Sequence, residues 1–197
     1  MKMTSKQSIK RLIGLILIAV GLGLLLSSIA LNLKQYYSKK NTVAQFKEYI
    51  ESGEAFLDND GNDPVTGDML YILRIPSIDS ENPVREGTES DVLSDSLGHE
   101  ADTALAGTEG NCVIAGHRNY NFGKYFNRLD EVEINDLIYL DTPTETYIYS
   151  VTDIKVVEPT DVDILEPVEG KEILTLYTCT PIYIATHRLV IIAERVL

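Results

Sequence analysis

The stretch ILTLYTCTPIYIATHRLVIIAERVL, running from Ile173 to Leu197, reads as two β-strands joined by a short loop. Both arms are rich in Ile, Leu, Val, Thr and Tyr, which suit a pleated, half-buried surface, and Pro181 interrupts the ladder between them. A hairpin centred between Tyr183 and Ile184 sets Cys179 directly across from Arg188. Successive side chains of a strand point to opposite faces, so Cys179 shares a face with Thr175 and Tyr177 while Leu174 and Leu176 take the other. The sulfur is thereby expected on the more polar, reachable side.

Upstream, further short apolar runs are separated by turn formers: Leu70–Ile75, Asn111–Gly116, Leu137–Leu140, Tyr147–Val151 and Ile154–Val157. Their lengths and composition argue strands, and no long helical period follows residue 56. Many short strands in one domain must dispose of their edges. A closed or nearly closed antiparallel β-barrel with a few short helices is the economical all-β solution.

The first part of the chain is of another kind. Leu12–Leu33 is a 22-residue run without a charge, long enough to cross a hydrocarbon core as one helix. Ser28-Ile29-Ala30 resembles a signal-peptidase site, but the run exceeds the usual 7–15 apolar residues of a cleaved signal, so an uncleaved anchor is expected. Lys2, Lys6, Lys10 and Arg11 precede it, and Lys34, Lys39 and Lys40 follow, a slight positive-inside bias that places the N-terminus in the cytoplasm and the body outside the cell. The expected organisation is a cytoplasmic segment 1–11, a membrane span 12–33, a juxtamembrane stalk 34–65 with Tyr37, Val43, Phe46 and Ile50 at loosely helical spacing, and a folded domain 66–197.

Residues 41–197 carry 10 basic and 30 acidic side chains. A body this acidic repels phosphate backbones, which argues against nucleic acid as a partner. Asp58–Val65 is dense in turn formers and reads as a hinge; as an EF-hand loop starting at Asp58 it would lack the Glu at its twelfth position, where Met69 stands. The pairs Glu131/Glu133 and Asp161/Asp163 could hold calcium, yet a solvated acidic surface accounts for them, and no cofactor or metal is expected.

Chemistry points to three residues. A cationic neighbour such as Arg188 favours thiolate at Cys179 and can hold a developing oxyanion. In Gly110-Asn-Cys-Val-Ile-Ala-Gly-His-Arg118 a strand delivers His117 at its end, where an imidazole can donate a proton to a leaving amine and later withdraw one. A buried cysteine beside a surface arginine, and a structural histidine, are the bland alternatives, and from these residues alone they remain open. Cys112 lies five positions before His117, an odd offset, so a site-facing His117 sends Cys112 to the core and argues against a Cys112–Cys179 disulfide. No CxxC or HxxxH spacing suggests zinc. His187 is expected at the surface or in packing, and His99 could line the cleft.

These runs together resemble the sortase family of cell-surface cysteine transpeptidases of Gram-positive bacteria. The family's TLxTC element is matched by Thr175–Cys179, its following arginine by Arg188 in His187–Val190, and its histidine element by Gly110–Arg118. Weaker similarity runs through Ile75–Ile78, Pro83-Val84 and Glu86–Thr88. The resemblance implies an eight-stranded sortase β-barrel behind a single N-terminal transmembrane helix, with His117, Cys179 and Arg188 as the catalytic set and Thr178 assisting substrate contact. It implies cleavage of an LPxTG-like sorting signal between Thr and Gly, then transfer to an amine of a peptidoglycan precursor or a pilin lysine. With no second apolar span after the last strand, a class D enzyme is expected ahead of a pilin-polymerising class C enzyme. Asp63-Pro64 is similar to the class C lid, though Val65 stands where the lid continues with an aromatic residue. A cysteine endopeptidase using water and a non-catalytic binding domain are the competing functional readings.

Overall fold

A computed structural model of the protein describes residues 5–52, 68–118 and 125–196. The expected hinge and lid residues, 58–65, lie outside the described residues. The chain begins with helix α1 (Ser5–Ser52) and continues through β1 (Met69–Ile75), β2 (Ser80–Glu86), a short helix α2 (Ser90–Asp95), β3 (Leu97–His99), β4 (Gly110–Ala115), β5 (Leu137–Asp141), β6 (Thr146–Val157), β7 (Glu172–Thr180) and β8 (His187–Arg195). One-turn 3₁₀ segments occupy Pro76–Ile78, Leu129–Glu131 and Val162–Leu165.

Two compact units divide at residue 38. In the first, α1 carries large apolar side chains on all sides in the open, Leu15, Leu17, Ile18 and Leu24 among them. A helix that is apolar all round is either buried in a large core or spans a membrane. It is long and apolar enough to cross a membrane.

The second unit starts at Lys39 and holds the barrel. The stretch expected as a stalk is helical as far as Ser52, and from Lys39 onward it is part of this unit. Val43 and Phe46 are buried against Met69 and Ile72 of β1, with Tyr49 and Ile50 alongside. Lys47 meets Glu81 of β2 at 2.6 Å. A register shift between Met69 and Tyr71 lets β1 face two ways: Met69 and Ile72 turn to the helix while Tyr71, Leu73 and Ile75 fill the barrel.

Eight strands close in the order β1-β2-β3-β4-β7-β8-β6-β5, with β5 returning to β1. Closure removes every edge that eight short strands would otherwise present. The expectation of a wholly antiparallel barrel is corrected at two seams, because β2 pairs β3 and β4 pairs β7 in parallel. Parallel neighbours cannot be joined by a tight turn and need a crossover. Residues 87–96 with α2 make one such crossover, and the β5–β6 excursion makes the other.

The interior is filled from alternating positions of every wall: Tyr71, Leu73 and Ile75 from β1, Cys112 and Ile114 from β4, Leu174 and Leu176 from β7, and Leu189, Ile191 and Ala193 from β8. Two of the expected runs, Tyr147–Val151 and Ile154–Val157, are halves of β6, which shifts register between Val151 and Asp153 as it crosses from β5 to β8. Such a bulge bends one strand so that it reads as two.

Candidate active site

Strands β7 and β8 pair with Thr180 opposite His187 and Cys179 opposite Arg188. The connection takes its backbone from two carbonyl bonds, Ile184 N–H and Ala185 N–H both donating to Pro181 O, with Tyr183 and Ala185 in the left-handed region. The expected hairpin centre therefore holds, and it sets Cys179 across from Arg188. Arg188 is half-buried, with one guanidinium nitrogen donating to the His187 carbonyl at 3.2 Å.

The period of two along β7 sorts its side chains as expected. Leu174 and Leu176 enter the core. On the opposite face Thr175 donates to Asn111 Oδ1 at 2.8 Å, Tyr177 donates to the Glu100 carboxylate, and Cys179 is partly exposed. Burial and the Glu100 contact push the Tyr177 hydroxyl well above the ordinary phenol range, while Arg188 acts in the other direction. Tyr177 is thus a fixed neutral donor two residues from the sulfur.

Strand β4 runs parallel to β7 in unbroken register from Gly110↔Glu172 to Ala115↔Tyr177. Past the last ladder pair the contact continues. Gly116 N–H donates to Tyr177 O at 3.2 Å, the Thr178 hydroxyl donates to Gly116 O at 2.6 Å, and the Arg118 guanidinium donates to Thr180 Oγ1 at 2.9 Å. Both side-chain bonds join residues 62 apart in the chain, the offset of the strand register itself. The register of the ladder, carried on past its last pair, would bring position 117 alongside position 179. His117 is exposed there, and its carbonyl accepts from Phe126 N–H at 3.3 Å. Cys179 and Arg188 are paired on β7 and β8, and His117 lies in the segment that follows β4, two residues past its last ladder pair.

Thr178 is 2% exposed, shares the Leu174/Leu176 face, and donates its hydroxyl to Gly116 O, so its side chain ties β7 to the histidine loop.

Gly116 lies where a Cβ would come within 2.5 Å of Leu97 Cδ2 and 2.6 Å of Phe126 Cδ2, so the turn into His117 passes between two core side chains that leave no room for a methyl group.

Cys112 is buried in the barrel, both cysteines are free, and no Cys112–Cys179 bridge exists. Burial, reinforced by the charge of Glu86, pushes the Cys112 thiol up to about 12. One sulfur is sealed and protonated; the other reaches the surface.

His99 does not line a cleft. It is 1% exposed, with Nδ1 3.0 Å from Glu86 and Nε2 3.0 Å from the Ala104 carbonyl, so it fastens the loop after β3. His187 sits at the surface, as expected, 3.2 Å from Glu158. Glu131 is paired with Arg128, and among the described residues no group of three or more His, Cys, Asp or Glu side chains gathers as an ion site.

Sequence reasoning did not single out Asn111. It is buried, and its amide donates to the carbonyls of Ile164 and Glu166 at 2.9 and 3.2 Å while Oδ1 accepts from Thr175. It staples the β6–β7 connection over the outer face of β4 and β7. A cleft of about 460 Å³ opens beside that connection, lined in part by Thr88, Glu100, Thr103 and Leu165.

Comparison with known proteins gives one consistent result. Residues 73–196 match the family model described as a sortase domain. Sortase D of Bacillus subtilis is 32% identical over 136 residues, covering 68% of this chain and 67% of that protein. Among solved structures, a Clostridium perfringens Sortase D5 transpeptidase is similar with a TM-score of 0.66 and 28% identity, over 81% of this chain and 98% of that one. Sortase C1 of GBS Pilus Island 1 shares the fold with a TM-score of 0.70 at 24% identity, over 81% and 92% of the two chains.

Proposed function

The chain belongs to the sortase family, whose members are cysteine transpeptidases, and on that footing we propose that it is a class D-like, membrane-anchored enzyme that joins an LPxTG-like sorting signal to an amine of a cell-wall precursor. The pairing of a partly exposed Cys179 with Arg188 on β7 and β8, beside the exposed His117 that follows β4, is the observation that supports this reading most directly.

In the first step the Cys179 sulfur attacks the carbonyl between Thr and Gly of the signal, forming a C–S bond. The guanidinium of Arg188 donates to the oxygen as it gains charge. His117, as imidazolium, gives its proton to the departing glycine nitrogen as the C–N bond breaks. A thioester remains on Cys179. In the second step an incoming amine attacks the thioester carbonyl, His117 accepts the proton that the amine loses, and the thiolate departs. The cycle needs no cofactor. The helix through residues 12–33 holds the barrel at the outer membrane face, with the N-terminus cytoplasmic, where membrane-tethered sorting signals and lipid-linked acceptors also reside.

The test uses the full chain in detergent micelles with an LPxTG-type peptide and a panel of amines, glycine peptides and lysine side chains included. The reading expects a thioester at Cys179 by mass spectrometry and an amide product that incorporates a glycine-type amine. Product from a pilin lysine alone would move the enzyme to class C, and hydrolysed peptide with no amine incorporated would make it an endopeptidase. Absence of any adduct would end the transpeptidase reading.

A further inference from the structure

The parallel β4–β7 ladder ends at Ala115 and Tyr177, two residues before His117 and Cys179. What holds the two backbones together at that level is a pair of side-chain bonds that bracket them. Thr178 bonds Gly116 on one flank and Arg118 bonds Thr180 on the other, so each immediate neighbour of His117 is tied to the matching neighbour of Cys179. Thr178 and Thr180 lie on the face of β7 opposite Cys179, so both ties leave the reactive face clear.

The Arg118 tie has a built environment. Its side chain is 6% exposed, its other terminal nitrogen lies 2.7 Å from Asp130 Oδ1, and its Nε is buried with no hydrogen-bond partner among the described residues. A guanidinium is seldom buried this far unless it is held by charge and hydrogen bonds. Asp130 is 51% exposed and follows Leu129, which is fully buried, so the anchor is itself fixed to the core. The planar fork spans Asp130 and Thr180 together, which the single ammonium of a lysine does less well.

Resting on the sortase reading, we propose that Arg118 is a positioning residue: by bridging Asp130 to Thr180 it holds the backbone of His117 level with Cys179, so that imidazole and sulfur meet in the geometry of proton transfer. Arg118 itself touches neither substrate nor reacting atoms. A displacement of about 1 Å at a reacting pair can cost on the order of 100-fold in rate.

The experiment compares the full chain in micelles as wild type, Arg118→Met, Thr180→Val and Thr180→Ser, each checked for native circular dichroism. Turnover of the sorting peptide is followed across pH with KM and kcat separated, beside alkylation of Cys179. Arg118→Met is expected to lower kcat about 10- to 100-fold with KM within about 2-fold, and to change the pH profile of kcat, because the proton carrier is displaced while the binding surface is intact. Thr180→Val, which removes only the hydroxyl, should fall about 10-fold, and Thr180→Ser should recover most of that loss. Thr180→Val guards against a fold defect in Arg118→Met. Rates within about 2-fold of wild type for both Arg118→Met and Thr180→Val would overturn the positioning role, as would a raised KM at unchanged kcat, which marks a substrate contact. A wild-type chain that forms no thioester while Cys179 still alkylates would overturn the sortase reading, and the positioning role with it.

Discussion

Cys179 and Arg188 are direct partners on the antiparallel β7–β8 pair, with the next pair, Thr180 and His187, closing the ladder at the hairpin end. The ladder fixes the two backbones at this point, and the proposed oxyanion role of Arg188 draws on that fixity. Arg188→Ala is therefore expected to reduce kcat about 100- to 1000-fold while leaving a detectable thioester, and Arg188→Lys is expected to restore little, since one ammonium does not reproduce the guanidinium's planar geometry. Cys179→Ala should remove the thioester altogether. Single-turnover kinetics with a sorting peptide check both, and an Arg188→Ala enzyme turning over at the wild-type rate would contradict the oxyanion role.

The two cysteines should part company in reactivity. At pH 8 a soluble alkylating reagent is expected to modify Cys179 within minutes and to spare Cys112 until the protein unfolds, with intact mass giving the count of labels. Cys112 also predicts a pH dependence. Its thiol is raised to about 12 in the fold against an ordinary value near 9, and burial likewise raises the Tyr125 and Tyr149 hydroxyls to about 12. Above pH about 9 the unfolded chain loses protons that the folded chain keeps, so stability is fully present below that pH and falls between about pH 9 and 12. Thermal unfolding measured from pH 8 to 11 should show the decline, and Cys112→Ala should lessen its slope at the low end of that range.

The β7–β8 hairpin was legible in the sequence because a period-two pattern and a proline turn leave one pairing that puts Leu174, Leu176 and Ile191 inside together. Strands β2 and β3 were not. Ser80-Glu-Asn-Pro-Val-Arg-Glu86 has no apolar alternation, and its strand geometry comes from neighbours on both sides, while β3 is only three residues long. The parallel seam between β4 and β7 joins segments 62 residues apart, and nothing local encodes it. His117 and Cys179 could therefore be brought together beforehand only through the family resemblance. Thr178 was a different matter. Counting by two from Leu174 already sets it on the core side, and there it is buried.

Asn111 converts burial into the shape of a groove wall. Its amide satisfies the Ile164 and Glu166 carbonyls and accepts from Thr175, so Asn111→Leu leaves three partners short of a bond at one stroke. A cost of about 1–3 kcal/mol is expected, with the opening concentrated in residues 162–166. Hydrogen exchange should report faster amide exchange there and little change in β5 or β6. Because that connection stands over the outer face of β4 and β7, KM for the peptide should rise more than kcat falls. Uniformly faster exchange throughout the barrel would instead mark Asn111 as a general stabiliser.

Gly116 offers the sharpest test of how tightly the histidine loop is fitted. A methyl group there would meet Leu97 and Phe126 at 2.5 and 2.6 Å, both atoms belonging to fully buried side chains. Overpacking of this kind costs about 1–3 kcal/mol, and the backbone of residues 116–117 is the part that yields, held among the described residues by its bonds to Tyr177, Thr178 and Phe126 and by the neighbouring Arg118 tie. Gly116→Ala is expected to lose at least about 10-fold in kcat along with that stability, since the same shift that relieves Phe126 carries His117 off the level of Cys179. Pairing the substitution with Phe126→Leu, which opens space beneath the turn, should return part of the rate even though it removes buried area. A double variant no faster than Gly116→Ala would show that the glycine matters for some reason other than its fit against the core.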